Sequence, residues 1–461
     1  VPYIDTTEPT MAPGVLKSVA LQAGFTAKGI DLNIDICNQV ESSPNKLLLQ
    51  EFFMGEPVTE IIIEEVLQMI HYVSNRIVDE KPGKIGLSLL TLTCKVFTKW
   101  LCINLKTLAP DTPIFVGGPG IRDFINDKNN DWVETLRRDG LIDDFIIGDG
   151  EISVVEYLKG NKNYPGINSI NWKQLENLNE FPHPDYDDYD WSKYADPKIP
   201  VAESRGCVRS CEFCDIIEHW TKFQSRTAEN VFEEIVSQVN RYNVKDISMR
   251  NSLTNGNMKV FTKLVKMIGD YNKQFASRKQ QMSWKGYFII RSSGQHPEEM
   301  WQNIKNSNGY LMLGVESVIQ RIRYQIGKKF DNADIEYHLE MGKKYQVPMM
   351  LLMIVGYPGE TRADFDYTKQ WFVDHKHYAG DSVLAVNLSP GSVLPGTELY
   401  RKKDEYGIEL GTLPILWIDQ QLNISYQDKL NHFNELLKLV SDLGYNAPID
   451  RQSYSLTLLN E

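Results

Sequence analysis

The stretch Glu203-Ser-Arg-Gly-Cys207-Val-Arg-Ser-Cys211-Glu-Phe-Cys214 decides how this chain is read. Its cysteines are spaced C-x3-C-x2-C, and the run Ile199–Ser204 that leads into them reads as a β-strand. Three thiolates on one short loop can ligate three irons of a 4Fe–4S cluster and leave the fourth iron open to an outside ligand. A cluster held by four cysteines mainly transfers electrons, whereas one with an open iron can bind and reduce a substrate. A structural zinc completed by His219 is the alternative, but structural zinc usually takes its ligands as two separated pairs. The other cysteines, Cys37, Cys94 and Cys102, lack ligand spacing and read as buried free thiols.

Downstream of this loop the pattern alternates between strand and helix. Candidate strands are Ile199–Ser204, Lys245–Met249, Trp284–Ile290, Leu311–Val315, Pro348–Val355 and Asp381–Asn387, with room for one helix after each. Six such βα units fit a barrel or partial barrel better than a small sheet. An amphipathic helix, Asp428–Leu443, and a polar tail close the chain. Upstream, strand-like runs sit at Tyr3–Asp5, Ile30–Asp35, Lys84–Leu89, Pro113–Val116 and Asp144–Ile147. Helical patterns lie near Gly14–Gly24, Val58–Val78, Thr93–Leu108 and Trp132–Arg138. That alternation predicts a Rossmann-like, doubly wound parallel sheet, so the fold class is α/β throughout. Between the two series, residues 160–200 are rich in Asn, Asp, Tyr and Pro, and read as an extended linker.

Composition narrows the function classes. The 461 residues are 42% hydrophobic and 24% charged, ordinary for a globular chain with a large core. A net charge of −12 argues against broad binding to nucleic acid or an anionic membrane. No apolar run is long enough to span a bilayer; the longest candidate, Met349 to Val355, has strand length. Six cysteines exclude a disulfide-rich secreted scaffold. With no signal-peptide pattern, a cytoplasmic location is expected.

C-x3-C-x2-C with an aromatic, Phe213, before its last cysteine and after a first barrel strand resembles the radical S-adenosylmethionine (SAM) superfamily. Three later segments agree in order: Leu313-Gly-Val-Glu316-Ser317, Ile354-Val-Gly356-Tyr-Pro358-Gly359-Glu360-Thr361 and Pro395-Gly396-Thr397-Glu398-Leu399-Tyr400. The set resembles the subgroup that carries an N-terminal cobalamin-binding domain. Val116-Gly117-Gly118-Pro119 and Ile147-Gly148-Asp149-Gly150-Glu151 fit that subgroup, because glycines at the carboxyl ends of parallel strands let the backbone approach a ligand. A nicotinamide site does not fit, since no G-x-G-x-x-G follows the first strand.

The resemblance implies a division into a cobalamin-binding domain over 1–155, a linker over 156–198, a radical SAM partial barrel over 199–405 and a C-terminal segment over 406–461. It implies three cofactors: a 4Fe–4S cluster on Cys207, Cys211 and Cys214, SAM, and cobalamin. Phe213, Arg291, Glu316, Gly356 and Pro358 would contact SAM or its cluster: Arg291 its carboxylate, Glu316 its amino or ribose groups, Gly356 and Pro358 its adenine. Gly117, Gly118, Gly148, Gly150 and Glu151 would embrace cobalamin. The implied activity is C-methylation of an unactivated carbon, through a 5′-deoxyadenosyl radical and methylcobalamin. The implied partners are an external electron donor and a substrate that is a small molecule or peptide. Rival readings are a radical rearrangement or cyclisation with the same cofactors, methylthiolation without cobalamin, and a non-catalytic iron–sulfur protein. Two departures stand out. The D-x-H-x-x-G motif of cobalamin mutases is absent, and His71, inside a predicted helix, reads as a plain helix residue. Asn251 stands after the second barrel strand, where family members often have acidic residues.

Overall fold

The computed structural model describes residues 6–53, 55–121, 131–411 and 414–448. The chain divides into two compact units, Val1–Pro200 and Val201–Glu461.

The first unit is built on a parallel sheet of Ile85–Ser88, Ile114–Gly117 and Asp144–Ile146, paired in that order. Helices Met11–Gln22, Ile63–Val78, Lys95–Leu108 and Asp131–Arg138 form where the apolar periodicity places them. Lys46–Phe53 and Gly150–Leu158 add two helices that the sequence reading did not include. Val73, Phe97, Leu101, Val116 and Phe145 meet in the core between helices and sheet. The run Tyr3–Asp5, read as a strand, lies outside the described residues.

Ile30–Asp35 corrects the sequence reading, for it begins the helix Leu32–Ser42 rather than forming a strand. Alternating isoleucines suggest a strand by themselves. Asp31 overrides them as an N-cap, its carboxylate accepting from the Asn33 amide at 3.0 Å. The same carboxylate takes the Thr10 amide at 3.0 Å and the Tyr194 hydroxyl at 2.7 Å. Ile36 and Val40 then fall on one buried helical face. Residues 160–197 pack into this unit. Tyr186 is fully buried there, and Lys17 makes ion pairs with Asp185 and Asp188 at 2.8 and 2.5 Å.

The second unit centres on a six-stranded sheet whose spatial order follows the chain: Lys198–Val201, Asp246–Met249, Ser283–Phe288, Gly309–Glu316, Met349–Val355 and Val383–Pro390. The later five strands pair in parallel. Each is preceded by a helix that returns the chain, and side-chain caps fix where several of those helices start: Thr227, Asn257, and Asp331 in a reciprocal capping box. This is a partial β/α barrel, with the carboxyl ends of those five strands on one edge. Phe261 packs edge-on against Trp284 and Phe288 under that sheet.

The first barrel strand ends earlier than the sequence suggested. Ser204–Arg205 leaves the sheet to pair antiparallel with Gln224–Ser225. That small hairpin closes a loop over residues 206–223, which carries the cysteines. The C-terminal helix runs Tyr426–Asp442, opened by a Ser425–Asp428 capping box. Among the described residues no helix is long and apolar enough to cross a membrane.

Candidate functional site

Gly206 opens the cysteine loop at φ +76°, and a Cβ there would collide with the Lys222 carbonyl. The loop therefore turns sharply off the strand end, and it does so immediately before Cys207. Cys211 is buried, while Cys207 and Cys214 are half-buried. Burial pushes the Cys211 thiol up to about 11 and the Cys214 thiol up to about 12. Each of these two cysteines also feels the charge of Cys207, so the three sulfurs share one electrostatic neighbourhood. Thiols raised this far become thiolates only against a strong positive charge, which is what iron supplies. Among the described residues no three His, Cys, Asp or Glu side chains gather as a single metal ion would require. His219 faces Asp215 at 3.5 Å.

The loop is held from three sides. Its Cys211–Cys214 turn packs Phe213 and Cys211 against Ile322, Ile326, Tyr357, Leu399 and Trp417. Glu212 accepts from Lys402 at 2.6 Å and from the Tyr406 hydroxyl at 2.8 Å, and its carbonyl takes the Leu399 amide at 2.7 Å. Arg209 donates to the Ile290 carbonyl at 3.3 Å. These contacts tie the cysteines to the third, fourth and fifth βα loops and to the segment after the last strand.

Glu316 ends the fourth strand under constraint. Pairing with the fifth strand shifts register, Leu352 facing Gly314 and Met353 facing Glu316, so the fourth strand bulges there. Glu316 sits at φ +63°, sparsely populated by residues with a side chain. Its carboxylate pairs with Lys328 at 2.5 Å, both side chains being nearly buried. Gly314 makes room for this pair, because a Cβ there would press on the Lys328 ammonium. The Cys211 thiol feels both charges. Lys328 was not among the residues singled out in the sequence, and no local spacing points to it.

Arg291 follows the third strand and donates from Nη2 to the Asn255 and Gly256 carbonyls at 3.2 and 3.1 Å. Burial and the neighbouring Arg209 lower its pKa, while Cys207 acts in the opposite sense. Both guanidinium Nε atoms, of Arg209 and Arg291, are buried without a hydrogen-bond partner. Two like charges held beside a cysteine repel each other, and an anionic group nearby would relieve both.

After the fifth strand, Gly356 adopts φ +74° and donates its amide to Glu360 at 2.7 Å. Pro358 is buried, and its carbonyl accepts from Gln325 at 3.1 Å. The C-terminal helix reaches this loop through Lys429. Its methylenes cover Gly356, and its ammonium lies 3.1 Å over the Trp417 ring and bonds the Trp417 carbonyl. Asp419 accepts from the Gly359 amide at 3.1 Å. Asn251 meets Glu203 instead of facing the loop edge as a charge. Its amide donates to the Glu203 carboxyl, to Ser204 Oγ at 2.9 Å and to the Leu253 carbonyl at 2.7 Å.

In the first unit, Gly117 ends the second strand with Gly118 next to it, and Gly148 follows the third. Their neighbours explain the missing side chains. A Cβ on Gly118 would strike the Leu89 carbonyl, and one on Gly148 the Trp172 ring. Gly150 starts the helix Gly150–Leu158, where Glu151 is buried in the first turn. Leu90 stays exposed in the loop after the first strand, at the same carboxyl edge. His71 is exposed on the helix Ile63–Val78 and lines a surface groove with Leu67, Tyr72 and Arg76.

Residues 203–372 match the radical SAM superfamily. An uncharacterised methyltransferase of Pyrococcus horikoshii is 24% identical over 323 residues, covering 65% of each chain. The chain thus spans somewhat less than two thirds of that relative's length. The radical SAM methyltransferase TsrM of Kitasatospora setae, solved with cobalamin and a [4Fe-4S] cluster bound, superposes with a TM-score of 0.65 at 13% identity, over 98% of this chain and 94% of that one. The cobalamin-dependent radical SAM enzyme OxsB, solved with aqua-cobalamin bound, gives a TM-score of 0.58 at 17% identity, over 87% of this chain and 54% of that one.

Proposed function

From the premise that residues 203–372 are a radical SAM domain, we propose that this protein is a cobalamin-dependent radical SAM enzyme that methylates an unactivated carbon of a small molecule or peptide. The observation that carries this reading is one edge of the partial barrel. The three cysteines, Arg291 and the Gly356 loop follow the carboxyl ends of their strands, and Glu316 ends its own strand paired with Lys328. A parallel α/β unit precedes it in the chain, and 98% of the chain superposes on a fold solved with cobalamin bound. A 4Fe–4S cluster with an open iron and SAM supply one-electron cleavage of a sulfonium bond, and cobalamin carries the methyl group.

The chain's own residues do the rest. Cys207, Cys211 and Cys214 would hold the cluster, and the apolar packing around Phe213, Tyr357 and Trp417 shields it from water. Arg291, with Arg209 beside it, would take the carboxylate of SAM through its guanidinium. Glu316 would face its amino or ribose groups, held in place by Lys328. Gly356 and Pro358 would lie against its adenine. In the first unit, the Gly117–Gly118 and Gly148–Glu151 loops and the exposed Leu90 would receive cobalamin. His71, exposed on the helix Ile63–Val78, would not be a ligand to its cobalt. Reducing electrons would come from an external donor.

Anaerobic reconstitution with iron, sulfide and hydroxocobalamin tests this, followed by desalting and addition of reductant and SAM. Bound corrinoid is expected, together with 5′-deoxyadenosine that disappears in Cys211→Ala. Deoxyadenosine without retained corrinoid would keep the barrel chemistry and sink the cobalamin assignment. Neither product, from protein shown to carry a full cluster, would count against catalysis.

A further inference from the structure

Two histidines lie fully buried behind the barrel edge, His296 before the helix Glu298–Asn306 and His338 on the helix Asn332–Tyr345. Their rings stand nearly perpendicular, with His296 Nδ1 and His338 Nε2 2.7 Å apart. His338 Nδ1 is 2.6 Å from the Asp334 carbonyl. His296 Nε2 is 3.4 Å from Asn255 Nδ2. The far end of this chain sets its direction. A carbonyl can only accept, so His338 carries its proton on Nδ1 and must accept at Nε2. His296 therefore donates from Nδ1 and accepts at Nε2, and the Asn255 amide donates to it.

Every polar atom of the Asn255 side chain is then occupied. Nδ2 also donates to the Ile289 carbonyl at 2.9 Å, and Oδ1 takes the Ile289 amide at 2.9 Å. The Asn255 backbone carbonyl, with that of Gly256, receives Arg291. Phe288 and Trp301 pack against the rings. Burial holds His338 neutral down to about 4 and His296 lower still, so both rings keep one donor and one acceptor at neutral pH.

We propose that His338, His296 and Asn255 form a one-way hydrogen-bond chain that positions Arg291 for the carboxylate of SAM. The inference rests on the radical SAM reading of the site. All three side chains are fully buried, so they act through the two carbonyls that aim the guanidinium.

The test measures SAM affinity of the reconstituted holoenzyme by anaerobic equilibrium dialysis, with iron content and thermal unfolding followed in parallel. His338→Phe fills the space but breaks the chain, and is expected to weaken SAM binding about fivefold, as one lost hydrogen bond would, with iron content unchanged. His338→Gln keeps an acceptor and a donor, and is expected to restore affinity to within about twofold. Arg291→Ala is expected to bind SAM weakly, and His338→Phe added to it should weaken binding no further. Multiplying losses in the double variant, or unaltered affinity in His338→Phe, would overturn the proposal. If Arg291→Ala binds as well as wild type, the positioning role falls while the radical SAM reading stands. If wild type with a full cluster binds no SAM, the functional reading itself fails. Should His338→Phe not fold, nitrogen-15 histidine spectra of wild type decide: protons on Nδ1 of both rings are expected, and an Nε2 proton on either overturns the chain.

Discussion

Glu316 concentrates two costs in one residue, a left-handed backbone and a nearly buried ion pair with Lys328. Removing one partner of such a pair leaves the other charge stranded, typically a loss of about 3–5 kcal/mol. Glu316→Gln is therefore expected to destabilise the cluster-free protein by about 3 kcal/mol in urea unfolding. The double variant Glu316→Gln, Lys328→Met should recover most of that loss, since no charge is then stranded. Additive losses would show that the pair is not what holds this strand end. Glu316 was legible in the sequence because it stands in a Leu-Gly-Val-Glu run after a strand. Lys328 was not, since only the bulge and the helix Gln320–Ile326 bring it back beneath Gly314. Tyr357 and Glu212 were equally silent: their partners lie far along the chain, at Ile322, Lys402 and Tyr406.

At the scale of elements, the C-terminal helix packs on the Gly356 loop and is not an appendage. Lys429 covers Gly356 and rests on Trp417, whose indole also donates to the Gly391 carbonyl at 2.7 Å. Gly356→Ala would force a Cβ into a left-handed backbone and against the Lys429 stem. A loss of about 1–3 kcal/mol in thermal or urea unfolding is expected, with weaker SAM binding at unchanged iron content. An alanine tolerated on both counts would separate the helix from the site. Periodicity revealed this helix but not its target, because an amphipathic stripe says which face is buried and not what it meets. The opposite lesson comes from Leu32–Ser42, where a capping carboxylate decided between two periodicities. Asp31→Ala should cost about 2 kcal/mol of stability, at the upper end for an N-cap, because Thr10 and Tyr194 lose their acceptor too. A loss near 0.5 kcal/mol would mean that the distant donors find other partners.

Over the whole molecule, the partial barrel was the most legible part, since six strands in chain order need only local alternation and a parallel sheet repeats it. Its buried titrations were not legible, because they depend on depth. Burial raises the Glu203 carboxyl to about 8. Its folded pKa lies above the ordinary 4.5, so the native state keeps a proton that the unfolded chain releases. That contribution is fully present below about pH 4.5 and is lost as pH rises toward 8. His338 has the opposite sign. Burial lowers it from 6.5 to about 4, so its contribution is present above 6.5 and is lost as pH falls toward 4. Between 4.5 and 6.5 the two slopes oppose, which hides both in the wild-type curve. Differences expose them. Relative to Glu203→Gln, whose amide never ionises, wild type should lose about 1.4 kcal/mol per pH unit between roughly 5 and 8. Relative to His338→Phe, it should lose stability as pH falls from 6.5, and the gap should close near 4. Urea unfolding of the cluster-free protein across this range measures both. A flat difference for Glu203→Gln would mean that the carboxyl is ionised in the folded state, stabilised by Arg226 beneath the cysteine loop. The link between the first barrel strand and the cysteine loop would then hold a buried charge pair instead of a neutral acid.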